Sequence, residues 1–64
     1  MVSINGKQVA VDGCSLQAYL EQEGFSKEHI AVELNGQIIP RSCYAQVKLK
    51  ADDKLEIVRF VGGG

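Results

Sequence analysis

At 64 residues the chain has room for one domain, near the lower size limit for folding without metals or disulfides, because so short a chain buries only about 60% of its unfolded surface. Hydrophobic residues at 45% against 23% charged ones exclude an intrinsically disordered chain. A net charge of −1 and an aromatic content of 6% exclude the basic, stacking surface that binds nucleic acid.

Val2 to Val11 reads as a β-hairpin. Val2 and Ile4 alternate with polar residues, as do Val9 and Val11, and Asn5-Gly6 between them suits a type I′ turn, whose central residues both need φ > 0. Met1 to Gly6 has neither the charged nor the apolar region of a signal peptide. No apolar run reaches membrane-spanning length, so the expected compartment is the cytoplasm. Cys14 and Cys43, with His29 alone, fall short of the four closely spaced ligands of a zinc site, and the pattern predicts two ordinary free thiols.

Ser15 is placed to cap a helix, and Leu16, Tyr19 and Leu20 follow at i, i+3, i+4 spacing. Gly24 suits the left-handed position that ends a helix, with Phe25 folding back on the last turn. About two and a half turns are marginal alone, so Leu16 and Leu20 must pack on a sheet. Ile30, Val32 and Leu34 then alternate toward a second Asn35-Gly36 turn, and Pro40 keeps the returning strand short and peripheral. Arg41 to Ala45 predicts a turn or 3₁₀ segment with Tyr44 tucked beneath it. Val47 and Leu49 alternate before the turn at Ala51-Asp52-Asp53, and Lys54 to Phe60 forms the final strand.

Hairpin, helix, hairpin, connector and strand make an α+β fold, a mixed four- to five-stranded sheet with one helix packed on one face. The first and last strands lie parallel at its centre, which is the β-grasp arrangement. The expected core is Ile4, Val9, Val11, Leu16, Leu20, Ile30, Val32, Leu34, Leu55 and Ile57. On the last strand Glu56, Val58 and Phe60 face away from Leu55 and Ile57. Val58 and Phe60, with Val61, then form either a docking surface beside the tail or a patch covered by the loop around Tyr44.

The domain is expected to span 1–61 and a glycine tail 62–64. Gly62, Gly63 and Gly64 carry no side chain to pack, so the tail is expected to be mobile and thin enough for a channel in a partner. Four residues past Phe60 reach about 13–14 Å when extended. A frayed end or an expression remnant is the plain alternative. No pair of carboxylates, nucleophile-base set or phosphate loop offers catalysis. Glu21, Glu23, Asp52 and Asp53 read as solvated charges, and His29 as exposed. The terminal carboxylate ionises at about 3.3–3.7 and is a poor electrophile at neutral pH, so reaction with a nucleophile needs prior activation, for which adenylation by ATP is the obvious route.

The hairpin at Asn5-Gly6, the run Val32 to Arg41 followed by Tyr44, and Asp52 to Gly64 together resemble the ubiquitin-like sulfur carriers, most closely the ThiS family of thiamine biosynthesis. The resemblance covers the whole chain. It implies that an E1-like adenylyltransferase uses Mg-ATP to adenylate Gly64, and that sulfur from a cysteine desulfurase persulfide displaces AMP to leave a thiocarboxylate. It further implies sulfur transfer to thiazole synthase by a free monomer that binds no cofactor and runs no reaction of its own. The extra Gly62 precedes the Gly63-Gly64 ending typical of these carriers. The small subunit of molybdopterin synthase, a protein modifier and a tRNA-thiolation carrier share the activation chemistry and remain alternatives.

Overall fold

The structure, a computed structural model, describes residues 1–60. Val61 and the glycines lie outside the described residues, and with them the domain boundary and the expectation of a mobile tail. Five strands and one helix follow one another: β1 (Val2–Ile4), β2 (Lys7–Val9), α1 (Leu16–Gln22), β3 (Ile30–Leu34), β4 (Gln37–Ile38) and β5 (Lys54–Arg59). The sheet order is β2-β1-β5-β3-β4. β5 runs parallel to β1 and antiparallel to β3, so the last strand is the middle one.

Local chemistry explains most boundaries. Asn5 and Gly6 have φ of 49° and 84°, and Asn35 and Gly36 have 53° and 88°, as type I′ turns require. The Ser15 hydroxyl accepts from the Ala18 N–H at 3.0 Å and caps α1. At the other end Phe25 N–H donates to Leu20 C=O and Gly24 N–H to Glu21 C=O, the two bonds of a Schellman ending. Gly24, at φ 78°, provides its left-handed residue. The helix is seven residues, slightly shorter than its apolar stripe suggests.

Leu16, Tyr19 and Leu20 of α1 close over Val2, Ile4, Ile30, Val32, Leu55 and Ile57, with Tyr44 and Leu49 completing the core. Three expected core residues sit at its margin: Val9, Val11 and Leu34 are half-buried. Val9 lies at the end of an edge strand. Val11 follows it in a tight turn, its N–H donating to Val9 C=O, which stops the hairpin at Val9 instead of Val11.

Val47 to Lys50 alternates like a strand but joins no sheet. It pairs with the segment entering the helix: Leu49 N–H donates to Cys14 C=O, and Gly13 and Leu16 N–H groups donate to Leu49 and Val47 C=O. Its backbone is therefore satisfied before it can reach a sheet edge. Arg41–Gln46 forms the expected 3₁₀ segment, with Tyr44 buried beneath it.

Asp53 corrects another expectation. Only 5% exposed, it is a structural residue and no solvated charge. Its carboxylate accepts from the Asn35 side chain at 3.0 Å and from Lys50 N–H at 2.9 Å. Burial pushes its pKa up, but these two donors and the Lys50 charge outweigh burial and hold it below the usual aspartate value.

Candidate functional site

The expected site is the end of β5 together with the tail, so the contacts that hold this strand matter first. Along β5 the backbone groups of alternate residues point to opposite neighbours. Leu55 C=O accepts from Asn5 N–H, but β1 turns away there, leaving the next such residue, Ile57, without a backbone partner on the β1 side. The Asn5 carboxamide fills the gap: its Oδ1 accepts from Ile57 N–H at 2.7 Å and its Nδ2 donates to Ile57 C=O at 3.1 Å.

Asn35 does the same on the other side of the strand. Where β3 ends, its N–H donates to Lys54 C=O at 2.8 Å, and its Oδ1 accepts from Lys54 N–H at 2.9 Å. Each turn asparagine thus adopts positive φ and also acts as one more peptide group for β5.

Two contacts secure the far end of the strand. Phe60 N–H donates to His29 C=O at 2.9 Å. The Arg59 guanidinium lies 4.7 Å from the centre of the Phe25 ring, tying the strand to the residue that ends α1. β5 therefore delivers the chain at Phe60 from a fixed position.

The face of β5 opposite the helix is open. Val58 is 60% exposed and Phe60 38%. Tyr44 does not cover them: it lies on the helix side, beside a cleft of about 240 Å³ also lined by Leu20, Phe25 and Glu21. Register adds residues that the sequence reading missed. Ala31 lies opposite Val58, Glu33 opposite Glu56, and Ile38 opposite Glu33, so all share the open face. Ile38, at 67% exposed, extends the apolar surface to the sheet edge. Its neighbour Ile39 is half-buried, and only pairing with β3 distinguishes them. Val61, the third residue expected on this surface, and Gly62, Gly63 and Gly64 lie outside the described residues.

No group of three or more His, Cys, Asp or Glu among the described residues converges to hold a metal. Cys14 and Cys43 are free and exposed. No helix among these residues is long and apolar enough to cross a membrane.

Comparison with known proteins adds to this geometry. The model of the ThiS family matches residues 2–64, the glycine end included. The sulfur carrier protein ThiS of Bacillus subtilis strain 168 is 38% identical, with both chains covered in full. Thiazole synthases of Paramagnetospirillum magneticum and Magnetococcus marinus are 48% and 39% identical over 78% and 98% of this chain. The chain spans only 15% and 20% of those two proteins. A crystal structure of the thiamine biosynthesis protein ThiS from Geobacter metallireducens matches with a TM-score of 0.76 at 31% identity, over 98% of this chain and 97% of that one. A family match that runs through the last glycine, on a mixed sheet shared with a solved relative, means that this chain belongs to the ThiS family and has its β-grasp fold.

Proposed function

We propose that this chain is a cytoplasmic sulfur carrier of thiamine biosynthesis, and that the carboxylate of Gly64 is its working group. The observation that carries the reading is the family match over residues 2–64, which joins the β-grasp body to the glycine ending. The body's contribution is positional. Asn5, Asn35, His29 and Arg59 hold β5 in register, so Phe60 sits at a fixed position close to the exposed Val58.

The chemistry belongs to partner enzymes, for which this chain is a co-substrate. At neutral pH the terminal carboxylate is an anion that nucleophiles do not attack. An E1-like adenylyltransferase supplies Mg-ATP; a carboxylate oxygen of Gly64 attacks the α-phosphorus, and pyrophosphate leaves. The acyl-adenylate is electrophilic. Persulfide sulfur that originates on a cysteine desulfurase attacks its carbonyl, AMP departs, and cleavage of the S–S bond by a thiol leaves the thiocarboxylate. Gly62, Gly63 and Gly64 have no side chains to obstruct a narrow channel. Val58, Phe60 and Val61 provide the docking surface beside it.

Thiazole synthase takes the sulfur. In support, a segment similar to this chain lies within two longer relatives that bear that name. Covalent attachment of a carrier to the enzyme it serves raises the effective concentration of one for the other.

The test is mass spectrometry after incubation with the E1-like enzyme, Mg-ATP and a sulfur source from the same organism. Exchange of one oxygen for sulfur should add about 16 Da at the C-terminus. A variant with one residue added after Gly64 should gain nothing. An uncharged wild type, or an extended variant charged equally well, refutes the reading.

A further inference from the structure

The open face of the sheet sets two like charges opposite one another. Glu33 on β3 and Glu56 on β5 are register partners, and both are exposed. Cross-strand partners place their Cβ atoms about 4.5–5.5 Å apart, where two like charges are destabilising. Among the described residues the one cation within 4.0 Å of either carboxylate is Lys54, whose Nζ is 4.0 Å from Glu56 at the limit of an ion pair, with both side chains largely in water. Such a contact offsets little.

The carboxylates are not isolated on a polar surface. Ile38 lies beside Glu33 across β4, and Val58 is two residues beyond Glu56 on the same face, followed by Phe60. These three apolar residues are 67%, 60% and 38% exposed, so the two carboxylates, with Lys54 beyond Glu56 on the same face, border an apolar shelf.

A second copy of this chain fits the shelf poorly, because two such faces in contact would bring four carboxylates together against only the two Lys54 ammonium groups. A partner with a complementary charge has the opposite effect. Guanidinium has a planar fork of donors that can bond to two neighbouring carboxylates at once, and it is more weakly hydrated than ammonium.

We propose that this open face docks a protein surface that places an arginine guanidinium between Glu33 and Glu56, with apolar side chains against Ile38, Val58 and Phe60. The inference rests on the carrier reading above and adds the partner's chemistry. The Glu33–Glu56 repulsion, offset only slightly by Lys54 in the free carrier, is relieved on binding. Charge complementarity of this kind favours fast association and correct register.

The experiment measures the stability of one charge variant and the partner binding of another, and the two should change in opposite directions. Glu33→Gln removes the repulsion without disturbing the Lys54–Glu56 contact, so the free carrier should melt about 2–6 °C higher. Glu33→Gln/Glu56→Gln should bind thiazole synthase from the same organism about tenfold more weakly in low salt, and the deficit should shrink as salt rises. Val58→Ser/Phe60→Ala serves as the control for the shelf itself and should weaken binding at every salt concentration.

If the glutamine pair binds like wild type in low salt while Val58→Ser/Phe60→Ala is weakened, the guanidinium proposal fails and the docking surface survives. If neither variant is weakened, or wild type does not bind thiazole synthase, the carrier reading fails at this face as well. Sedimentation of the free wild type as a dimer that the glutamine pair tightens would assign the face to a second copy and overturn the proposal.

Discussion

Replacing Asn5 tests whether a turn side chain holds the strand that leads to the glycines. Asn5→Gly keeps the backbone compatible with φ 49° and deletes only the carboxamide. Two hydrogen bonds to Ile57 are lost, at 2.7 and 3.1 Å. At about 0.5–1.5 kcal/mol each, the loss is about 1–3 kcal/mol. Against a total stability of about 3–10 kcal/mol for a chain of this length, that is a substantial fraction. With about 4–8 °C per kcal/mol for small domains, a central loss of 2 kcal/mol lowers the melting temperature by about 8–16 °C. Asn5→Ala should fall further, because a Cβ in the left-handed region adds about 1–2 kcal/mol. Calorimetry gives the ranking wild type, glycine, alanine. Amide exchange locates the cause: in Asn5→Gly the Ile57 N–H should lose protection relative to that of Ser3, which donates to Asp53 C=O in the same sheet. A glycine variant that melts within about 2 °C of wild type with Ile57 still protected would refute the role given to the carboxamide.

Other perturbations read other parts of the fold. Leu20→Ala opens a cavity under a residue that is 3% exposed and should cost about 2–5 kcal/mol, measured by denaturant melts. Asp53 has a lowered folded pKa, so its stabilising contribution is complete above the unfolded value of about 3.9 and is lost as pH falls through the folded value. The gap in melting temperature between wild type and Asp53→Asn should therefore be wide at neutral pH and narrow progressively in acid below pH 4; an unchanging gap would contradict the ionised, bonded carboxylate. A double-mutant cycle on Arg59→Ala and Phe25→Ala should give a coupling of about 0.5–1 kcal/mol, detectable by chemical denaturation and only weakly reduced by salt.

Features that depend on near neighbours could be read from the chain. Asn5-Gly6 and Asn35-Gly36 announce their turns, Ser15 and Gly24 bracket the helix, and the alternation of Leu55 and Ile57 with Glu56 and Val58 fixes the two faces of β5. The order of elements then leads to a mixed sheet. What was not legible depends on partners distant in sequence. Asn5 looks like a turn former, and nothing nearby shows that its carboxamide bonds to Ile57, 52 positions away. Asp53 follows Asp52 in a polar turn, and its burial comes from Asn35 and Lys50 closing over it. Val47 to Lys50 has the period of a strand, but its backbone is taken by Cys14 and its neighbours. On the open face, Val58 and Phe60 follow from alternation, whereas Ile38 and the Glu33–Glu56 pair emerge only once β3, β4 and β5 are set in register.

The placement of β5 has a consequence for how the chain acquires its structure. The strand between the two hairpins is the last of the sheet to be synthesised, and its parallel partner β1 lies at the opposite end of the sequence. Until Lys54–Arg59 has left the ribosome, β1-β2 and β3-β4 are separate two-stranded ribbons, each marginal in water. Closure of so long a loop is slow, and its entropy must be lost before the middle strand returns any contact. Folding should therefore be a single late event that waits for β5, in which both hairpins and the helix close on that strand together. A chain interrupted before this strand would have no stable half to populate and would be exposed to proteolysis.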